Sequence, residues 1–486
     1  MTTPTPAHHN RRWLVLAVLG IAQLMVVLDA TIVNVALPSA QDALGFSDNN
    51  RQWIVTAYAL AFGSLLLLGG RLSDIFGRKR VFITGLAGFA GASAVGGAAQ
   101  SFEVLVAARA LQGAFGALLA PAALTLLTVT FTDPEERGKA FGVFGAIAGS
   151  GAAVGLLLGG VLTEYLSWRW VMFVNLAFAA PAIAGAMVLL KHDVVADRPK
   201  VDIPGAITAT LGLFCVVYGF SQAERTSWDD TLTIVFLAGA VVLLSAFVAI
   251  ERRVKHPLLP LRVVLDRDRG GSYLAVGIAG AGMFGVFLFL TYFLQQNLNY
   301  SPVKTGLAFL PMCLAIMAVA TTVSTKVLGR TGPKPLIALG MVCGAAGMVY
   351  LTGIDADATY VADILPGLVL NGIGMALVIA PGMASATYGV RGDDASVASA
   401  MVNTMQQIGG SIGTALLSTV VTSAIDSKLE GVRPTPQVLS DATIHGYTTA
   451  FWWAAAIFAI GAVVCGTLLR PGVQEVDPEA APVMAH

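Results

Sequence analysis

Charge is what this sequence has least of. Only 12% of its 486 residues are Asp, Glu, Lys or Arg, against about 25% in ordinary soluble domains. With 56% hydrophobic residues and a mean hydropathy of +0.75, the chain cannot hide its apolar surface in a water-soluble globule, whereas a lipid-embedded fold need not hide it. The 29 basic and 29 acidic residues cancel, so no excess of one sign is available to hold a nucleic acid. Cysteine is scarce. Cys215, Cys313, Cys343 and Cys465 each sit in an apolar run and none forms a C-x-x-C pair, which argues against disulfide or metal roles. His192, His256 and His445 stand apart in loops and His8 and His9 lie in the N-terminal tail. No metal cluster and no nucleophile–base pair can be read. The phosphate-cradling pattern G-x-x-x-x-G-K-[ST] is missing as well, which excludes ATP as a direct driving force. No cofactor is expected.

What is present is a succession of apolar runs. A membrane-spanning helix needs about 20 apolar residues. On that measure the sequence predicts helices at 13–37, 51–70, 81–100, 103–130, 139–163, 169–190, 204–222, 232–250, 272–296, 304–328, 335–353, 362–388, 395–424 and 449–469. Internal Pro121, Pro181, Pro311 and Pro381 do not break these runs, because membrane helices tolerate proline. The runs are continuous and do not alternate, so a β-barrel is excluded. The first run follows Arg11 and Arg12 but continues well past a signal-peptide core, and it is read as an uncleaved helix. Of the 29 basic residues, 22 fall in segments on the same side as the N-terminus, six on the other side, and Arg109 within a span. The bias places both termini in the cytoplasm and requires an even number of spans. Residues 425–448 are expected to form the longest outer loop.

Several motifs interrupt the apolar pattern. Between the second and third runs lies Gly70-Arg71-Leu72-Ser73-Asp74-Ile75-Phe76-Gly77-Arg78-Lys79-Arg80. Small residues there permit a tight turn, and Asp74 can pair with the basic cluster or with a helix end. The first run ends in Leu28-Asp29-Ala30-Thr31-Ile32-Val33-Asn34, the fourth contains Arg109-Ala110-Leu111-Gln112-Gly113, and the fifth contains Gly151, Gly155, Gly159 and Gly160. Asp29 and Arg109 fall roughly 12 and 9 Å below the outer ends of their helices, at 1.5 Å per residue. A charge at that depth faces the protein interior and marks a pathway, or else forms a buried structural ion pair. Glu164, Glu224 and Asp363 sit near span ends. Asn34, Gln112, Asn371, Asn403, Gln406 and Gln407 are polar candidates for a substrate cavity or for helix-to-helix hydrogen bonds. Tyr58, Phe284, Phe287, Tyr292 and Phe293 could line an aromatic pocket or pack in the core.

The 70–80 segment is similar to the loop signature G-x-L-x-D-x-x-G-R-K/R of the major facilitator superfamily. The Asp29 segment, the R-x-x-Q-G of the fourth run, the glycine pattern of the fifth, Ser167-Trp168-Arg169-Trp170 and Phe173-Val174-Asn175 resemble the superfamily's fourteen-helix drug:proton antiporter branch. Leu156 stands where the branch's G-x-x-x-G-P-x-x-G-G pattern has proline. The resemblance is densest over 13–190. It implies an all-α membrane protein of two six-helix bundles, 13–190 and 272–469, around a cavity that opens to either side in turn. It also implies two additional helices (204–250), a basic cytoplasmic linker (251–271), and cytoplasmic tails at 1–12 and 470–486.

The function so implied is export of amphipathic small molecules, such as antibiotics or dyes, in exchange for protons across the cytoplasmic membrane. The partners are then substrate, protons and the bilayer, with no nucleic acid, and the protein acts as a monomer. Asp29 is expected to carry the proton, with Arg109 tuning it. The segment Gly70, Asp74, Gly77, Arg78, Lys79 and Arg80 serves as a conformational switch, in which Asp74 meets the N-terminus of the 335–353 helix. Gly205, Gly212 and Gly219 are expected to pack the 204–222 helix against a bundle. A symporter or uniporter of a small metabolite, and a lipid-modifying membrane enzyme, are the alternatives.

Overall fold

The computed structural model describes residues 6–46, 48–190, 202–255, 257–390, 394–431, 433 and 435–472. Fourteen helices of nineteen residues or more run through them: α1 (Pro6–Leu44), α2 (Asp48–Phe76), α3 (Arg78–Gly97), α4 (Phe102–Thr130), α5 (Pro134–Tyr165), α6 (Trp168–Leu189), α7 (Ile203–Arg225), α8 (Thr231–Glu251), α9 (Arg267–Tyr292), α10 (Pro302–Lys326), α11 (Pro333–Leu351), α12 (Leu365–Ala386), α13 (Ala395–Leu429) and α14 (Pro436–Leu468). Each falls on one of the predicted runs. Single π-helical turns, Phe293–Asn297 and Tyr360–Ile364, extend α9 and lead into α12.

Polar residues at the run boundaries start the helices. Ser101, Asp133, Asp202, Asp230, Asp266, Ser301 and Thr435 each accept a backbone N–H of the first turn, and Pro134, Pro302 and Pro436 sit where no donor is needed. Capping also shortens the expected outer loop at 425–448. Polar Asp426 and Lys428 stay helical in α13, and the Thr435 cap starts α14 at once. At the other end, α1 begins at Pro6, inside the expected tail. Arg11 donates to the Val188 carbonyl and Arg12 pairs with Glu136 at 3.1 Å, so partners at the helix base hold this polar turn in register. The rest of both expected tails, residues 1–5 and 473–486, lies outside the described residues.

Helices α1–α6 and α9–α14 form two halves with the same internal packing. In the first, α1 packs on α5 and α6, α4 on α2 and α3, and α3 on α6; in the second, α9 packs on α13 and α14, α12 on α10 and α11, and α11 on α14. The halves meet reciprocally: α2 lies against α13, the fifth helix of the other half, and α5 lies against α10, the second. Helix α7 packs on α2, α13 and α8, while α8 packs chiefly on α7. The seven-residue glycine stripe of α7 faces α8 and not a bundle. A Cβ on Gly212 would meet Leu244 at 2.7 Å, and one on Gly219 would meet Leu237 at 2.7 Å. Absence of a side chain lets the two extra helices approach each other. The larger Leu213, Val216 and Val217 are buried elsewhere on α7, with Val217 against α2 near Gly63.

Contacts between helix ends place the start of α1 and the end of α14 on one side, with the 70–80 loop. Arg12 reaches Glu136 at the start of α5, Arg137 reaches Thr387 after α12, and Arg470 N donates to Asp268 at the start of α9. Twelve of the helices are long and apolar enough to cross a membrane over their described residues; α3 falls outside that set, and of α5 the stretch Val154–Tyr165 is apolar but shorter. On the loop side the halves are closed on each other. Leu119–Leu127 of α4 and Gly374–Ala386 of α12 are buried on every face.

Candidate functional site: a buried acid cluster and the loop beneath it

Asp29 of α1 and Arg109 of α4 are 0% and 1% exposed. Arg109 Nη1 donates to Asp29 Oδ2 at 2.5 Å. Two amides complete the acid's surroundings. Gln112 Nε2 donates to Asp29 Oδ1 at 3.0 Å, and Asn175 Nδ2 of α6 donates to the same oxygen at 2.7 Å. Both amides also donate to Ser93 Oγ of α3 at 2.8 Å, and that hydroxyl donates onward to the Met172 carbonyl. Arg109 is held in turn by Gln112 Oε1 (2.9 Å), the Ile54 carbonyl (3.3 Å) and the Tyr58 ring, 4.4 Å from its centre. The cluster draws on α1, α2, α3, α4 and α6, all in one half. Its two formal charges cancel, so burial is tolerated, but removing either partner strands the other in a medium of low dielectric.

Periodicity fixes this geometry locally. Arg109 and Gln112 are three residues apart on α4 and so share a face. Gly113, the next residue, would place a Cβ 2.3 Å from the Tyr58 carbonyl, so only glycine lets α2 come close enough for Tyr58 to reach Arg109. The α5 glycines perform the same service for α1. Gly151 faces Val27, Gly155 faces Thr31 and the Leu28 carbonyl, and Gly159 faces Ile32. The α5 backbone therefore lies against α1 one residue from Asp29. Gly160 faces Val303 of α10 instead, at the seam between halves.

The 70–80 segment divides into parts with different contacts. A Cβ on Gly70 would fall 2.9 Å from the Ser396 carbonyl and 2.7 Å from Ala400, so α2 touches the first turns of α13 here. Asp74 sits 3.8 Å from Arg71 and faces Ser396. Its helix end is therefore that of α13 and not the 335–353 helix. The two helices inserted between the halves shift the count, and α2 meets the fifth helix of the second half. Gly77 takes φ 89°, a left-handed conformation that ends α2 and starts α3 at once. Lys79 is buried and donates to the Met187 and Leu190 carbonyls, capping α6. Arg80 is exposed and Arg78 is half-buried.

The remaining candidates are scattered. Asn34 and Tyr292 are exposed. Tyr58 and Gln112 belong to the acid cluster. Asn371 is buried on the α12 face that meets Gly347 of α11, and Asn403 donates back to the Ser399 carbonyl of its own helix. Gln407 packs on Gly63 of α2, and the Gln406 backbone lies against Gly280 of α9. The Phe287 and Phe309 rings meet tilted, with centroids 4.8 Å apart, and Phe293 is fully buried. The Phe284 side chain lies outside the described residues. Glu164 and Glu224 are exposed, and Asp363 accepts from Thr359 at the start of the π turn. Asn175 falls in the Phe173-Val174-Asn175 segment that resembles the branch, but neither it nor Ser93 is among the coupling or cavity candidates read from the sequence. Each is one polar residue in an apolar run, and no local pattern separates a ligand of Asp29 from an ordinary interhelical bond.

The Major Facilitator Superfamily model matches residues 19–414. A puromycin resistance protein of Streptomyces alboniger is 48% identical over 96% of this chain and 93% of its own. A cephamycin export protein of Amycolatopsis lactamdurans is 39% identical over 94% of both, and a tetracenomycin C resistance and export protein of Streptomyces glaucescens is 34% identical over 87% of this chain and 78% of its own. Among solved structures, the human organic anion transporter MFSD10 (TETRAN) superposes with a TM-score of 0.64 over 95% of this chain and all of its own, at 16% identity. That likeness is one of fold.

Proposed function

Because the chain belongs to the Major Facilitator Superfamily, and is therefore a multi-pass membrane transporter and not an enzyme, we propose that it exports amphipathic antibiotics from the cell in exchange for protons. Relatives similar over nearly the whole chain are named for resistance to puromycin and export of cephamycin, which supports both the direction and the class of substrate. All fourteen helices cross the membrane on this reading. Helix α3 has 20 residues, about 30 Å, enough to span. Arg78, Lys79 and Arg80 in its first turn lower its mean hydropathy, and Gly85, Gly88 and Gly96 face α4 or α6. The basic residues put the loop side in the cytoplasm.

The observation that carries proton coupling is the Asp29 carboxylate, buried at a five-helix junction with three donors and one counter-charge. Arginine stays charged and cannot be the carrier. A shift of one helix within that half that separates Arg109 or an amide from Asp29 changes the acid's affinity for a proton. The test uses everted vesicles and puromycin. Uphill accumulation should need a proton gradient, collapse with a protonophore, and acidify the medium in step with substrate uptake. Asp29→Asn should fold and still equilibrate puromycin down its own gradient, without uphill accumulation. A stable Asp29→Asn protein that still drives uphill export would overturn the assignment, and proton-linked movement in the same direction as substrate would favour a symporter.

A further inference from the structure

Basic side chains cap the C-terminal carbonyls of several helices. Lys79 and Arg11 cap α6, Arg169 bonds the Gly97 and Ala99 carbonyls after α3, and Arg267 bonds the Thr467 and Leu468 carbonyls of α14. Each of these acts inside its own half. Arg137 does the same thing across the two halves. It stands in the first turn of α5, and its Nη2 donates to both the carbonyl (2.9 Å) and the hydroxyl (3.1 Å) of Thr387, the residue that ends α12. Its guanidinium lies 5.3 Å from the Phe141 ring of its own half and 5.4 Å from the Tyr388 ring of the other. The α5 end that carries it is fixed in the first half through the Glu136–Arg12 pair and the Asp133 cap.

We propose that Arg137 is a latch that holds the loop side closed by capping α12, a positioning residue separate from the Asp74 segment. The Met383, Ala384, Ser385 and Ala386 carbonyls accept from the Thr387 hydroxyl, the Tyr388 N–H and the Tyr273 hydroxyl of their own half; the Thr387 carbonyl beyond them is the one that Arg137 meets, at the negative end of the macrodipole, which favours a cation. A cap within one half survives any rigid movement of that half. A cap between halves exists only in the closed state, so its free energy is added to that state alone. Guanidinium suits the task because one fork reaches carbonyl and hydroxyl together while its face meets the two rings. Beyond the latch, Gly145 of α5 lies against Ala380 of α12, where an added Cβ would stand 3.1 Å from the alanine methyl, so the seam tightens next to the cap.

This inference rests on the carrier reading, but its test needs no transport. Spin labels at Thr132→Cys and Gly329→Cys bracket the seam. Thr132 is exposed before α5, and a side chain at Gly329 meets open space on the second half. The four native cysteines are replaced by alanine in the full-length protein in nanodiscs. The distance distribution should be mainly short, and Arg137→Gln should raise the ratio of long to short distances about tenfold, equivalent to about 1.4 kcal/mol. Thr387→Val, which leaves the arginine and the carbonyl in place, should move it the same way by less. An unchanged distribution in either folded variant, or lower thermal stability without a shift, would overturn the latch. Loss of puromycin transport by the unmodified protein would count against the carrier reading and leave this result standing.

Discussion

Two residues of the 70–80 segment, Asp74 and Lys79, show how a motif can combine unlike tasks. Lys79 is buried with its ammonium on two α6 carbonyls, both in its own half. Replacing it with alanine leaves those carbonyls unmet and should cost about 1–3 kcal/mol, lowering Tm, while transport per folded molecule is retained. Asp74 faces α13 of the other half, so its neutralisation in Asp74→Asn should reduce transport severalfold with Tm little changed. Measuring Tm and vesicle transport on both variants separates the roles; equal effects on both readouts would mean that the loop acts as a unit. The sequence reveals the loop because charge among apolar runs stands out. It does not reveal which helix Asp74 meets, since that depends on how many helices are inserted between the halves. Asp29 and Arg109 are legible for the same reason as the loop. Gln112 is legible as well, from its place three residues after Arg109; Asn175 and Ser93 are not, because a single Asn or Ser in an apolar run looks alike whether it binds a carboxylate or a backbone.

Among elements, the α7–α8 hairpin departs most from expectation. Its glycines join the two extra helices to each other, and α7 then lies along both α2 and α13. At the end away from the loop side, Trp228 Nε1 donates to Thr419 of α13 at 2.7 Å, while Trp53 of α2 lies 6.3 Å from the Tyr218 ring. The helices themselves are readable from length and hydropathy, and twelve of them are long and apolar enough to span over their described residues. The facing of α7 is not readable, because a small-residue stripe identifies a close neighbour without naming it. Gly219→Leu should force α8 away from α7, against Leu237, and lower Tm by several degrees. If the hairpin stands outside the substrate path, puromycin transport per folded molecule should change less than twofold, and a photoactivatable puromycin should label 203–251 weakly. Strong labelling there would place the hairpin in the path.

The whole molecule is two similar halves joined by reciprocal seams, α2 with α13 and α5 with α10, with α12 added to α5 on the loop side. Among the described residues the Asp29–Arg109 cluster lies in one half, so on the proton-exchange proposal protonation at Asp29 has to act on the other half through the seams. Contiguous packing runs from Leu28 and Thr31, which flank Asp29 on α1, to Gly155 of α5, along α5 to Gly145, and there to Ala380 of α12. If alternating access opens the loop side, this last contact has to part. Gly145→Cys with Ala380→Cys tests that. The 3.1 Å separation expected between their Cβ atoms is slightly under the roughly 3.8 Å typical of a disulfide, so a small shift allows the bond. Oxidation should then stop puromycin transport in vesicles, and a reductant should restore it, with mass spectrometry confirming the link. Undiminished transport by the cross-linked protein would mean that the α5–α12 seam stays shut throughout the cycle and that opening occurs along α2 and α13 instead.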